Sequence, residues 1–283
     1  MFYLHSHASH FSSSNRSSFF AHALASAALT VVAGSALAQS TEAEERYGLS
    51  GSIGFGVAST PRYEGSPNRR TLAGPDLSLS YNTRDWGKFE AGQNGLVWQA
   101  FNRGPFTAGL ALGIDPGRKA KDTATADPTP GDKRLAGMGK IRSSAEPGVM
   151  LGYGPLSLLA RKSLGKQGHE GARVDVKAGW PFSVNDKLGV QVGANLSWAD
   201  KNFTQAYFGV TPSQSAASGF KSYTPKAGLH KFDVSLGAEY ALSEVWKLQT
   251  NVTLTQLLGD AADSPLVSKK SAASFAVGVG FAF

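Results

Sequence analysis

Ser274-Phe-Ala-Val-Gly-Val-Gly-Phe-Ala-Phe283 is the last stretch of the chain. Phe275, Val277, Val279, Phe281 and Phe283 fall on one parity, and Ala276, Gly278, Gly280 and Ala282 on the other. Side chains of a strand alternate between its two faces, so this is a strand with one bulky apolar face and one small face. A terminus frays in water unless packing holds it. An apolar strand ending on an aromatic therefore points to lipid on one side, and to pairing that closes a sheet.

The same period of two runs back through the chain. Leu188, Val190, Val192, Ala194, Leu196 and Trp198 alternate with Gly189, Gln191, Gly193, Asn195 and Ser197. Ala172, Val174, Val176, Ala178 and Trp180 alternate with Arg173, Asp175, Lys177 and Gly179. Phe232, Val234, Leu236, Ala238 and Tyr240 do so with Asp233, Ser235, Gly237 and Glu239. A soluble sandwich and a membrane barrel both produce alternation. The barrel is favoured because many runs last about 10–13 residues, the length that crosses a bilayer at a tilt. Trp180, Trp198, Tyr240 and Trp246 sit at the row ends, where a membrane interface holds aromatics. The polar rows are rich in Gly and Ser, which suit the inside of a narrow closed barrel.

Counting back from the end predicts an all-β, closed antiparallel up-and-down transmembrane barrel. Its strands fall at 271–283, 246–258, 228–241, 188–199, 171–180, 156–164, 142–153, 106–115, 95–101, 87–91, 75–81 and 47–58. That makes twelve, with ten if 82–101 is one merged hairpin. Long connections, 59–74, 116–141, 200–227 and 259–270, fall on one side and short turns on the other. Pro147 inside a strand requires a bulge or a local edge.

Residues 19–38, FFAHALASAALTVVAGSALA, follow a polar stretch carrying Arg16. The short Ala/Ser-rich core and the Ala36-Leu37-Ala38 site read as a signal peptide over 1–38 rather than as a membrane anchor. Residues 39–46 become a periplasmic tail and 47–283 the barrel. Losing Arg16 takes the formal charge from +7 to 7 − 1 = +6. No Cys is present, which excludes disulfides, thiolate catalysis and cysteine metal sites.

Pro61-Arg-Tyr-Glu-Gly-Ser66, Ala199-Asp-Lys201 followed by Tyr207-Phe-Gly-Val210, and Gly259-Asp-Ala-Ala-Asp-Ser-Pro265 resemble, in order and spacing, loop motifs of the MipA/OmpV family of outer-membrane proteins. Within them Pro61, Tyr63, Gly65, Ser66, Asp200, Lys201, Gly259, Asp260, Asp263, Ser264 and Pro265 carry the likeness. It implies a non-enzymatic barrel in the bacterial outer membrane. It also implies a scaffold that brings a periplasmic lytic murein transglycosylase to a penicillin-binding protein. Other family members are described as adhesins, and a small-solute pore is the rival that the fold itself suggests. Gly278, Phe281 and Phe283 resemble the C-terminal signal read by the outer-membrane assembly machinery, with Ala276 where that signal usually has a polar residue.

Motifs for other chemistry are weak. The mature chain has His169 and His230, neither placed beside partners by any spacing, so a Ser-His-Asp hydrolase is not expected. HExxH and P-loop signatures are absent. Gly51, Gly54 and Gly56 alternate along a strand and precede no helix, so they are barrel glycines, not a nucleotide loop. No cofactor and no catalytic residue is assigned. Asp200, Asp260 and Asp263 suit loop-shaping turns better than a Ca²⁺ site, so no metal is assigned either. Loop 116–142 holds Arg118, Lys119, Lys121, Lys133, Arg134, Lys140 and Arg142 against Asp122, Asp127 and Asp132, 7 − 3 = +4. It is either a lipopolysaccharide contact or a solvated mixed loop. Nucleic acid is excluded by export.

Glu146, Arg161, Arg173, Asp175, Lys177, Lys231, Asp233 and Glu239 fall on predicted lumen rows. They either line an aqueous channel or pair and plug it. Plugging is favoured, since unpaired buried charge is costly. Glu42, Glu44 and Glu45 make the tail acidic; it is either a disordered tail left by processing, the reading favoured here, or a docking surface for a basic patch on a murein enzyme.

Overall fold

The computed structural model describes residues 47–92, 95–166 and 168–283. The leader over 1–38 and the acidic tail over 39–46 lie outside them. Twelve strands close into one antiparallel barrel, each paired with its sequence neighbours and the first with the last. They are β1 (Gly48–Pro61), β2 (Arg69–Asn82), β3 (Lys88–Gly92), β4 (Gly95–Arg103), β5 (Phe106–Asp115), β6 (Ser144–Tyr153), β7 (Leu156–Lys162), β8 (Ala172–Ser183), β9 (Leu188–Ala199), β10 (Gly228–Ala241), β11 (Trp246–Leu257) and β12 (Ser271–Ala282).

The bulky parity faces out. Phe275, Val277, Val279 and Phe283 are exposed, as are Ile53, Phe55 and Val57 on β1. Among the described residues no helix is long and apolar enough to cross a membrane; the closed barrel, with its apolar outer row, satisfies its backbone as a spanning structure must. Trp180, Trp198, Tyr240 and Trp246 are all on the outer face. Trp246 meets Phe281 edge to face at 5.5 Å. The small parity faces in and lets strands approach. A Cβ on Gly54 would stand 2.9 Å from the Cα of Gly280, its partner across the seam. At that seam β1 and β12 run from Ser52↔Ala282 to Ser59↔Phe275. Gly51 and Phe283 exchange both backbone hydrogen bonds, at 2.9 and 3.0 Å.

Two features depart from the sequence reading, and a third settles the alternative it left open. The loop expected at 59–74 contracts to 62–68, because the β1–β2 ladder continues through Thr60↔Arg70 to Pro61↔Arg69. The outer loops are folded rather than irregular. They hold α1 (Lys201–Phe208), α2 (Pro212–Ser218), α3 (Gly259–Ala262) and a 3-10 turn at Lys133–Leu135. Third, the merged-hairpin alternative of ten strands fails, since β3 and β4 pair separately from Lys88↔Gln99 to Gly92↔Gly95. Short helices escape a periodicity reading, but their caps were in the sequence. Asp200 accepts from the Phe203 N–H, and Thr211 forms a capping box with Gln214 ahead of Pro212. Pro147 pairs with Leu112 of β5, while the β6–β7 ladder begins only at Gly148↔Arg161. The proline thus sits at a local edge, as its missing N–H requires.

Candidate functional site: a charge-filled lumen beneath a folded cap

Inward rows of β5 to β11 carry a continuous polar belt. Glu146 on β6, with no exposed surface, accepts from Arg173 Nη2 at 2.5 Å and lies 2.8 Å from His169 Nε2. The Gly171 N–H donates to His169 Nδ1, so the ring proton lies on Nε2 and is given to Glu146. Arg161 on β7 reaches Glu146 at 3.8 Å and donates to Asp175 on β8 at 2.8 Å. Ser197 donates to the other oxygen of Asp175, and Asn195 bridges Ser197 to Asp233 on β10. Thr255 on β11 completes Asp233 at 2.6 Å. Lys231 sits 3.9 Å from Asp233 and 3.0 Å from Glu64 in loop 62–68. Lys177 is buried on the same inward row of β8 as Asp175. Glu239 is separate: it pairs with Lys247 at 2.7 Å and accepts from Gln249 nearer the inner rim. Opposite charges thus neutralise one another across the barrel, which lowers the cost of burying them.

At its outer end the belt is anchored to the loops. Tyr207 of α1 donates to Asp115 at the top of β5 at 2.5 Å. Burial, then the Asp115 charge and hydrogen bond, hold the Tyr207 phenol well above its ordinary range, so it stays a donor. Arg118 is buried and donates to the Tyr207 carbonyl. That spends one of the cations counted toward a lipopolysaccharide contact. The histidine was unassigned in the sequence because its acidic neighbours Glu146 and Asp115 come from two separate strands. Only the barrel register makes them neighbours.

The loops above fold on two small apolar cores. One joins Ala199, Phe203, Phe208, Leu257, Ala261 and Ala262. The other joins Tyr63, Leu135, Met138, Val210 and Leu266, drawn from four different loops. The motif residues serve this cap. Tyr63 donates to the Leu266 carbonyl at 2.8 Å, and Ser66 donates to Asp132 at 2.9 Å. Gly65, at φ 92°, accepts from the Ser268 and Lys269 N–H groups. Its conformation is one that favours glycine. Ser264 donates to the Phe208 carbonyl at 2.6 Å. Pro265 follows it in the turn before Leu266. Gly259, at φ 50°, opens α3.

The three aspartates weighed as metal ligands take separate tasks. Asp200 caps α1, Asp260 accepts from the Lys226 N–H, and Asp263 pairs with Lys270. Lys201, the next residue after that cap, is exposed. Among the described residues, ligand atoms of Asp115, Glu146 and His169 do lie within 4.8 Å of one another. The donor set does not suit a cation: Arg173 and Arg161 already neutralise Glu146, and both ring nitrogens of His169 are engaged.

Asp132 ties the cap together. It is fully buried and accepts from Ser66, Asn68 and the Arg134 N–H. Burial pushes its carboxyl up, but these hydrogen bonds and the Arg62 charge prevail and hold it below the usual carboxylate range. A depressed folded value means stability that is present above the unfolded carboxylate range and is lost as pH falls through the folded one. Protease cleavage within 116–143 is therefore expected to rise only below about pH 4. Asp132→Ala leaves three donors unmatched, at about 1–3 kcal/mol each at most. It should expose the same bonds at neutral pH, and unchanged protection would refute this role.

The family model described as MltA-interacting protein MipA matches residues 53–283. A stretch of 100 residues is 28% identical to the MltA-interacting protein of Escherichia coli K12, covering 35% of this chain and 40% of that one. A stretch of 97 residues is 28% identical to outer membrane protein YiaT of the same organism, covering 34% and 39%. The aligned part thus spans about two-fifths of each relative. Among solved structures, an outer membrane channel from Pseudomonas putida F1 aligns with TM-score 0.40 and 11% identity over 86% of this chain and all of that one. An anion-selective porin from Comamonas acidovorans aligns with TM-score 0.31 and 11% identity over 83% and 98%. With residues 53–283 matched, the chain belongs to the MltA-interacting protein MipA family of outer-membrane barrels.

Proposed function

We propose that this outer-membrane barrel is a non-catalytic scaffold for murein-remodelling enzymes rather than a pore. The observation that carries this reading is the belt from Glu146 to Lys231, which runs along the inward rows of β6 to β10 and reaches Glu64 of loop 62–68, beneath a cap with its own apolar cores. Such a lumen offers little room for solute flow, while charge pairing gives the barrel a rigid wall. The Escherichia coli relative is named for an interaction with MltA, and the family resemblance suggests the partner class: a periplasmic lytic transglycosylase, and through it a penicillin-binding protein. We assign docking to the inner turns and to the acidic tail, whose Glu42, Glu44 and Glu45 carry the charge that suits a basic enzyme patch. The outer loops then meet lipid and lipopolysaccharide.

In-cell crosslinking tests it. The intact protein is expected to capture a lytic transglycosylase, and deletion of 39–46 to lower that capture several-fold. Undiminished capture would remove the tail from the reading. Steady single-channel steps in a planar bilayer, without enzyme capture, would replace the scaffold by a pore.

A further inference from the structure

The seam between the first and last strands comes apart at its outer end. β1 and β12 pair from Ser52↔Ala282 to Ser59↔Phe275, although β1 continues to Pro61 and β12 begins at Ser271. Gly51 and Phe283 are a hydrogen-bonded pair, and in an antiparallel ladder such pairs recur at every second residue. Counting up the seam, Ser59 with Phe275 is the last of them, and Pro61 with Ala273 would be the next. Proline has no N–H to give, so the ladder stops there. Arg69, which pairs with Pro61 from the β2 side, supplies a donor in its place. Its Nη1 donates to the Ala273 carbonyl at 2.7 Å, its Nη2 to the Ser59 carbonyl at 2.9 Å and its Nε to the Ser59 hydroxyl at 3.0 Å. One side chain thus ties β2, β1 and β12 together on the outer wall.

That guanidinium is exposed and lies 5.6 Å from the centre of the Phe275 ring. Phe275 and Leu254, which pairs with Ala273 from β11, are exposed apolar side chains on the same outer face. The charge therefore sits where the apolar band ends. Arg has five N–H donors, and three are spent on the seam. One remains on each Nη without a partner among the described residues. Lys269 stands at the same place. Its backbone N–H donates to the Gly65 carbonyl at 3.1 Å, and it lines the gap in the split seam with Thr60, Pro61, Ala272 and Ser274. The acids nearby are engaged elsewhere: Lys231 holds Glu64 at 3.0 Å, and Lys270 holds Asp263 at 2.8 Å. Arg69 and Lys269 form no ion pair among the described residues.

We infer that the split end of the seam binds a phosphate group of lipopolysaccharide from the outer leaflet, between the Arg69 fork and the Lys269 ammonium, with acyl chains lying down the wall over Phe275 and Leu254. A planar guanidinium already fixed by three hydrogen bonds presents its remaining N–H groups to phosphate oxygens without further loss of freedom. Cations directly above apolar side chains match a molecule whose charge is at the head and whose tail is hydrocarbon. The lipid stays on the outer wall, so the charge-filled lumen is untouched. The inference rests on the outer-leaflet contact of the reading above and not on any enzyme docked beneath the barrel.

Native mass spectrometry of the purified barrel in detergent, incubated with bisphosphorylated lipid A, tests it. Arg69→Gln and Lys269→Glu should each lower the retained lipid A about tenfold, the worth of one charge-assisted contact. Lys221→Glu makes the same charge change at an exposed cation elsewhere on the cap and should leave retention unchanged. Dephosphorylated lipid A should be held no better by the parent than by Arg69→Gln. An equal loss with Lys221→Glu, equal retention of the dephosphorylated lipid, or capture of inorganic phosphate in place of lipid A would overturn the inference. Should Arg69→Gln lose its compact form on unheated gels, Lys269→Glu decides, because the fold holds Lys269 through its backbone. Each variant should still capture the transglycosylase in cells, so failure of this site and failure of the scaffold reading give different results.

Discussion

Glu146→Ala should be the most damaging single change within the charged belt. The carboxylate has no exposed surface and receives Arg173, Arg161 and His169. Removing it takes away the closest counter-ion of Arg173 and leaves that guanidinium beside Arg161, with Asp115 at 3.9 Å and the Arg161–Asp175 pair as what remains. Breaking a buried pair from one side costs about 3–5 kcal/mol. At about 2–4 °C per kcal/mol for a domain of this size, the midpoint for loss of the compact form on unheated gels should fall by roughly 6–20 °C. The double change Glu146→Leu with Arg173→Leu removes one charge of each sign, and should recover most of that loss. A single variant that melts with the parent would show that the belt is solvated, not buried.

The second large effect separates the seam from the proposed assembly signal at Gly278, Phe281 and Phe283. Gly54→Val places its new atoms against backbone, the Val279 carbonyl and the Gly280 Cα of the closing strand. Backbone does not give way as a flexible side chain would, so β1 and β12 should fail to close. The heat-modifiable form is expected to be lost both in cells and in detergent refolding. Deletion of Phe283 should differ. It removes one exposed side chain and the backbone pair with Gly51, about 0.5–1.5 kcal/mol for each of two hydrogen bonds. Refolding in detergent should survive that. If Gly278, Phe281 and Phe283 form the assembly signal, the amount of barrel in the outer membrane should fall several-fold. Equal effects in cells and in detergent would reduce Phe283 to an ordinary seam residue.

Much of the architecture was legible because a barrel wall writes its two faces into alternate residues. Phe275, Val277 and Val279 against Gly278 and Gly280 needed no tertiary information, and the twelve-strand count followed from repeating that reading. The upper ends of β1 and β2 were not legible. Above the lipid the outward residues, Ser59 and Arg69, are polar, and the apolar signal stops before the ladder does. Tyr63, Ser66 and Ser264 could be picked out as motif residues, but what they bind could not. Their partners Leu266, Asp132 and Phe208 lie in other loops, and only the closed barrel brings those loops together. For the same reason the short β3 read as a weakness in the strand scheme. Five residues carry too little periodicity to distinguish a half-height strand from a turn.

The seam has a kinetic consequence. Ser52 and Ala282 are neighbours in space and almost the full barrel apart in sequence. Bringing such distant segments together costs about 5 kcal/mol of chain entropy before their ladder returns anything. The closing pair joins the first and the twelfth strand, so the barrel cannot close until every strand between them has been made. High-separation pairing of this kind makes spontaneous folding slow and leaves two unpaired edges open to aggregation meanwhile. The chain must therefore travel unfolded and be closed where it is inserted, which makes its abundance a matter of escort and catalysis more than of final stability.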